Sequence, residues 1–116
     1  MAKKPRIGDA ALTYSAALVL EAMAQGHRHG FEIMRATRLP SGSVYPLLRR
    51  LEAADLVESR WERVAEAHDE GRPQRRYYSP TADGRAALRQ ARERLIAQQS
   101  LFLRARHGVT GGPREP

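Results

Sequence analysis

Hydroxyl, phenol and guanidinium groups are concentrated between residues 41 and 50. The hydroxyls can donate to phosphate oxygens, the phenol ring can contact thymine methyls or sugars, and guanidinium groups fit phosphates and guanine edges. Side chains of these types can recognise bases and phosphates in a groove of DNA. The alternative is that Arg49 and Arg50 form only the solvated side of an amphipathic helix. The candidate contacts in this segment are Ser41, Ser43, Tyr45, Arg49 and Arg50.

Three arginines, Arg72, Arg75 and Arg76, follow one another closely beside Gly71 and Pro73. Like charges this close repel one another, so a hairpin does not need such a cluster for its own stability. On an extended arm, these guanidinium groups can lie beside phosphates or a minor groove. We predict that Arg72 and Arg75 contact DNA, and that Arg76, on the other face of the arm, is a third candidate.

A helix is needed to position the candidate contacts of residues 41–50. Four apolar residues recur at the spacing of one helical face, which predicts a helix whose other side carries the candidate contacts. Two N-caps fit this helix: Ser43, which would put Pro46 in the first turn where its missing N–H is not needed, and Ser41. The sequence does not choose between them. The apolar stripe consists of Val44, Leu47, Leu48 and Leu51.

Two helices are predicted before this one. Apolar residues recur at helical spacing between residues 12 and 23, and Gly26 is expected to end that first helix. A short second helix covers residues 29–37, where Gly30 allows the close approach of another backbone. Leu39 and Pro40 then interrupt the helical pattern.

A β-hairpin is predicted to carry the arginine arm. Side chains alternate over residues 57–63, which favours a strand, and the two tyrosines of Arg-Arg-Tyr-Tyr-Ser favour a second strand at residues 75–79. The polar run of residues 65–74 would connect them as a loop. We expect Trp61 to pack in the core against the last helix; the alternative is that it lines an effector pocket at a dimer interface.

The last predicted helix covers residues 82–106, and Thr81 is suited to cap it. It would extend about 37 Å at about 1.5 Å per residue, which is longer than a domain this small covers with its own surface. We therefore predict that its apolar stripe packs against a second copy of the chain. The alternative is a helix folded back on its own domain. The predicted dimerisation residues are Leu88, Ala91, Leu95 and Phe102.

The predicted order of elements is helix, helix, helix, strand, strand, helix. This is a mainly α fold with a two-stranded β-hairpin, a winged helix-turn-helix domain followed by one C-terminal helix. In such folds the third helix enters the major groove and the hairpin reaches the flanking backbone. We predict a flexible N-terminus over residues 1–10, the winged domain over 11–80, the dimerisation helix over 81–107 and a disordered tail over 108–116.

The composition argues against several other classes of protein. The 116 residues carry 20 Lys and Arg against 13 Asp and Glu, a net charge of +7 that attracts polyanions. There is no cysteine, which excludes a disulfide framework, a thiolate zinc site and a thiol nucleophile. His27 and His29 lack a ligand set for a metal, and the sequence has no nucleophile elbow. We expect a cytoplasmic protein that is not an enzyme, with no cofactor, no metal and no membrane segment.

Three strings of residues are more specific than spacing alone. They are His-Gly-Phe-Glu-Ile at residues 29–33, Ser-Gly-Ser-Val-Tyr-Pro-Leu-Leu-Arg-Arg-Leu-Glu at 41–52, and Arg-Arg-Tyr-Tyr-Ser-Pro-Thr-Ala-Asp-Gly at 75–84. In sequence and order they resemble the PadR family of transcriptional regulators, over about residues 14–95. Phe31 stands where a tyrosine is usual in that family, and Ser79-Pro80 replaces a basic residue and a leucine.

The resemblance implies a transcriptional regulator, usually a repressor, that dimerises through its C-terminal helix and in some members responds to a small molecule. A two-fold dimer presents two recognition helices, which predicts a palindromic operator in double-stranded DNA. The C-terminal region is shorter than in larger members, so a small-molecule effector would have to act at the dimer interface. The alternative function is a winged-helix interaction module whose basic face binds an acidic protein.

Overall fold

The structure is a computed structural model that describes residues 12–111. Its two strands form one antiparallel sheet, with Val57 opposite Pro80 and Trp61 opposite Arg76. The predicted fold class, mainly helical with a two-stranded hairpin, is confirmed. The predicted flexible N-terminus lies outside the described residues. The elements are α1 (Tyr14–Ala24), α2 (Gly30–Thr37), α3 (Ser41–Ala53), β1 (Val57–Trp61), α4 (Val64–Asp69), β2 (Arg76–Pro80) and α5 (Ala82–Gly111).

The hydrophobic core lies between α1, α2, α3 and the first half of α5. Val19 and Leu20 of α1 and Ile33 of α2 are fully buried. The predicted stripe of α3 is buried at all four positions, Val44, Leu47, Leu48 and Leu51. Because this stripe faces inward, the opposite side of α3 faces solvent.

The start of α3 differs from the prediction. The N-cap position is Pro40, and no side chain caps the helix there, so neither Ser41 nor Ser43 is the N-cap. The backbone N–H of Ser43 donates to the Pro40 carbonyl at 2.9 Å, which closes the first turn earlier than expected. Pro46 consequently lies inside the helix and not in its first turn. Both serine hydroxyls are left out of capping.

The connection between the two strands contains a helix, where the sequence predicted a loop. This helix, α4, has a single buried residue, Ala67. Six residues with one buried position show no helical period, so spacing alone could not detect it. Gly71, with a φ of 65°, follows its end and turns the chain towards β2. We call residues 57–80, the two strands with α4 between them, the wing.

Helix α5 is capped as predicted, and it is longer than predicted. The Thr81 hydroxyl accepts a hydrogen bond from the Gly84 N–H at 3.0 Å and donates to the Asp55 carbonyl at 2.7 Å. The helix continues to Gly111, past residue 106 and into the segment that was predicted to be a tail. The remainder of that segment, residues 112–116, lies outside the described part of the chain.

The two halves of α5 lie in different surroundings. In the first half, Leu88 and Ala91 are buried in the core, and the guanidinium of Arg92 donates to both carboxylate oxygens of Glu21 on α1, at 2.7 and 3.0 Å. Every residue from 96 to 108 is exposed. The helix is therefore fixed to the winged domain at one end and projects into solvent at the other.

Candidate nucleic-acid interface

The solvent-facing side of α3 carries the residues predicted from the sequence. Ser41, Tyr45, Arg49 and Arg50 are exposed, and Ser43 is half-buried. Tyr45 and Arg49 are four residues apart and share one side of the helix, because residues at that spacing lie one above the other. Among residues 12–111, neither Arg49 nor Arg50 forms an ion pair. Both guanidinium groups are therefore available to an external anion.

The ring of Tyr45 lies against the start of α2. A Cβ atom at Gly30 would be 2.5 Å from the Tyr45 hydroxyl oxygen, so only glycine leaves room for the ring in this position. Gly30 therefore admits an aromatic side chain, and not a second backbone as the sequence suggested. Tyr45 remains 40% exposed, which leaves one side of its ring available for contact.

Arg72 is held inside the wing. Its Nη1 and Nη2 donate to the two carboxylate oxygens of Glu62 at 2.6 and 2.7 Å, and its side chain is 19% exposed. Glu62 also accepts hydrogen bonds from the Arg75 N–H and the Tyr77 hydroxyl, both at 3.2 Å. These donors, Arg72 foremost, lower the pKa of the Glu62 carboxyl to about 2. The charge of Arg72 is therefore paired within the wing, with Glu62 and Glu70. A contact between Arg72 and DNA stays a prediction.

The side chains of Arg75 and Arg76, the other two predicted contacts of the wing, differ in how many partners they have. Arg76 donates from Nε to Ser59 at 2.9 Å, and its Nη2 lies 3.4 Å from the carboxylate of Glu52. The Arg75 backbone is paired with Glu62, whose N–H donates to the Arg75 carbonyl at 2.7 Å. Within the described range, however, the Arg75 guanidinium has no hydrogen bond or ion pair. Of the three arginines predicted to contact DNA, Arg75 is therefore the one whose charge has no partner in the described chain.

A groove with a volume of about 480 Å³ separates the start of α3 from the wing. It also reaches α2, because Gly30 and Phe31 form one of its walls. No acidic residue of the described chain lines it. It therefore combines aromatic surface with positive charge. The aromatic and cationic side chains in its lining are Phe31, Tyr45, Trp61, Tyr78, Arg75 and Arg76.

The expectation that Trp61 packs in the core is wrong. Its side chain is 58% exposed, and the Arg76 guanidinium lies 5.4 Å from its ring centroid. Trp61 is opposite Arg76 at the end of β1, on a hairpin face directed towards α3, whereas α5 packs against α1. Phe31 is also exposed, at 57%. Phe31 was not among the predicted contacts, although its position two residues before the inward-facing Ile33 places it off the buried side of α2.

His29 lies buried at the edge of this groove. Its ring meets the Tyr77 ring edge-on, with centroids 6.0 Å apart, and burial lowers the pKa of the imidazole.

No group of three or more His, Cys, Asp or Glu side chains between residues 12 and 111 could hold a metal ion. In the same range, no helix is both long and apolar enough to cross a bilayer.

The residues predicted for dimerisation fall into two groups. Leu88 and Ala91 are covered by their own chain, so they cannot form the exposed stripe that was expected. Leu95 packs partly against the core, and Phe102 is 67% exposed. The exposed part of α5 also carries large apolar residues that the seven-residue spacing did not select. These are Ile96, Leu101 and Leu103.

Comparisons with solved structures give the same fold. A PadR family transcription regulator from Clostridium difficile matches with a TM-score of 0.70 at 21% identity, over 79% of this chain and 97% of that one. A PadR-like regulator from Bacillus cereus matches with a TM-score of 0.59 at 23% identity, over 76% and 88%. BpsR of Bordetella bronchiseptica, whose DNA binding is regulated by 6-hydroxynicotinic acid, matches with a TM-score of 0.59 at 21% identity, over 93% and 71%.

A sequence model described as the transcriptional regulator PadR-like family matches residues 19–90. The match begins within α1 and ends within α5, so it includes α2, α3 and the whole wing. Among curated protein sequences, none matches this chain. Since the family model covers well over half of the sequence and the solved PadR regulators share its fold, the chain belongs to the PadR-like family of transcriptional regulators.

Proposed function

We propose that this regulator binds a palindromic operator as a homodimer and represses transcription there. Helix α3 enters the major groove, where Tyr45 and Arg49 reach base edges, and the wing lies beside the flanking backbone. One observation carries the proposal: the outer side of α3 presents two guanidinium groups, Arg49 and Arg50, that have no carboxylate partner in the described chain. A duplex supplies the missing negative charge.

The contacts on DNA divide into two kinds. Ser41, Ser43 and Arg50 lie on the edges of the exposed side of α3 and suit phosphate oxygens, which set position without reading sequence. Arg75 adds an uncompensated charge from the wing, and the half-exposed Arg76 a partly compensated one. Arg49 lies near the middle of the α3 face and suits a guanine edge. Affinity therefore comes mainly from the edges and the wing, and sequence preference from the centre of α3.

The projecting half of α5 supports the homodimer. Ile96, Leu101 and Phe102 are each at least 60% exposed on a helix that has no neighbour there within residues 12–111. Leaving this much apolar surface in water is unfavourable, and a second copy of the same helix can cover it. The groove between α1 and α5, lined by Tyr14, Leu18 and other residues, continues the apolar surface towards the core.

One observation favours the alternative function, an interaction module for an acidic protein. Phe31 and Trp61 are exposed beside the basic residues, and protein interfaces are enriched in such aromatic side chains. Binding to a duplex separates the two functions, because a protein-binding module would ignore DNA that carries the operator sequence.

The test is binding of the full chain to a labelled duplex of its own promoter and to a scrambled duplex, across a range of salt. Arg49→Ala is expected to cost about 1–3 kcal/mol on the promoter and to relax sequence preference. Arg75→Ala is expected to weaken both duplexes alike and to reduce the salt slope by about one. Arg89→Ala removes an exposed arginine of α5 that lies outside the proposed DNA interface, and it serves as the control. Failure of the unaltered chain to bind either duplex would contradict the proposal.

A further inference from the structure

We propose that the groove between α3 and the wing holds one sugar–phosphate strand of the duplex, with Phe31 and Trp61 packing against its deoxyribose rings. This inference rests on the proposed function, since it requires α3 and the wing to lie on DNA. It assigns a role to Phe31 and Trp61, which take no part in the proposed contacts between α3 and the DNA bases. Both are more than half exposed, and neither stabilises the core.

The geometry of a duplex places a strand at this position. Adjacent major and minor grooves are separated by a single sugar–phosphate backbone. If α3 occupies the major groove and the wing reaches the neighbouring minor groove, that backbone must pass between them. The groove lies at this place, with Tyr45 on the α3 side, Trp61 on the wing side and Phe31 on the α2 side.

The lining matches the chemistry of a backbone strand. Phosphates require donors and positive charge, which Arg75 and the Tyr45 hydroxyl can supply. Deoxyribose presents apolar C–H groups, which pack well against aromatic rings. Trp61 adds an indole N–H with no hydrogen-bond partner in the described part of the chain. Because no described lining residue is acidic, nothing in the groove repels the strand.

Arg76 is placed to hold the Trp61 ring and to exchange partners when a strand enters. Its guanidinium lies over Trp61, and its Nη2 is 3.4 Å from Glu52. That ion pair is long and partly exposed at both ends, and such pairs are weak. A phosphate in the groove can therefore replace Glu52 as the partner of Arg76 while the stacking on Trp61 is kept.

The first experiment uses the fluorescence of Trp61, which is the single tryptophan of the chain. The full-length protein is titrated at low salt with an unlabelled mixed-sequence duplex of about two helical turns, and binding is followed in parallel by anisotropy of a labelled copy. We expect the emission of Trp61 to change and its quenching by acrylamide to fall as the duplex saturates the protein. If the duplex binds while emission and quenching stay the same, the strand does not enter the groove, although the proposed function stands. If no duplex binds, the proposed function and this inference both fail.

The second experiment compares variants. Trp61→Ala is expected to weaken binding about five- to tenfold and Phe31→Ala about threefold, without changing the salt slope, because a neutral side chain releases no counterions. Val64→Ala removes an exposed apolar side chain of the wing that does not line the groove, and it should leave affinity unchanged. A loss of affinity for Val64→Ala equal to that for Trp61→Ala would overturn the inference. So would unchanged affinity for Trp61→Ala.

Discussion

Replacing Gly84 by alanine tests how α5 is joined to the winged domain. Gly84 lies in the first turn of α5, where alanine normally favours a helix over glycine by up to about 1 kcal/mol. Here a Cβ atom would be 1.9 Å from the carbonyl oxygen of Leu56, which belongs to the backbone and is buried. The structure therefore predicts that Gly84→Ala destabilises the protein, contrary to helix propensity.

The size of the effect follows from this distance. A carbon atom approaches a carbonyl oxygen to about 3.3 Å, so the start of α5 must move by about 1.4 Å. Overpacking of this kind costs about 1–3 kcal/mol. The shift also stretches the hydrogen bond from the Thr81 N–H to the Leu56 carbonyl, now 3.0 Å, which contributes about 1 kcal/mol. After subtraction of the helix gain, the expected loss is about 2 kcal/mol.

The assay is thermal and urea unfolding followed by circular dichroism, at equal protein concentrations because dimerisation would raise apparent stability. A loss of about 2 kcal/mol lowers the Tm of a domain of this size by about 10 °C. Gly108→Ala is the matched control: it lies on the same helix, and a Cβ there would meet nothing within 4 Å. Unfolding of Gly84→Ala at the same temperature as the unaltered protein, or above it, would contradict this prediction.

Three further predictions follow from the wing and from α5. Glu52→Gln should tighten binding to any duplex about two- to fivefold, measured by anisotropy, because Arg76 loses a competing carboxylate. The pKa of Glu62 is lowered to about 2, so its contribution to stability is present above about pH 4.5 and is lost as pH falls towards 2. Acid unfolding of Glu62→Gln should therefore be less steep over that range, and an unchanged profile would contradict this account. Phe102→Glu should shift a dimer to monomer in analytical ultracentrifugation while circular dichroism keeps its helical signal.

Local patterns were sufficient to predict α3 and the cap of α5. The four apolar residues of α3 define one face by their spacing alone, so the exposed positions of Tyr45 and Arg49 followed directly. Thr81 caps α5 by accepting a hydrogen bond from Gly84, which is only three residues later in the sequence. Structural features that depend only on residues within one or two helical turns can therefore be predicted from the sequence.

The partners of charged and aromatic side chains could not be predicted in the same way. Arg72 was selected as a DNA contact because of its neighbours in sequence, yet its partner Glu62 lies ten residues earlier, across a helix that spacing did not reveal. Trp61 was expected to face α5, but the orientation of the hairpin directs it towards α3. Leu88 fitted a seven-residue repeat equally well as a core residue or as a dimer contact. Each of these outcomes depends on how distant elements are arranged.

Helix α5 has the mechanical properties of a lever. Its first half is clamped to α1, and residues 96–111 extend about 24 Å beyond the clamp at about 1.5 Å per residue. A tilt of about 5° at the clamp moves the far end by about 2 Å, because the helix is stiff over this length. The part of α5 that packs against the winged domain, about which the helix would tilt, carries small buried residues, among them Gly84, Ala87 and Ala91. In the proposed dimer, joined at the far ends of α5, the volume of these side chains would set the distance between the two copies of α3. Substitutions there would then change the half-site spacing of the proposed operator without altering any of the proposed DNA contacts.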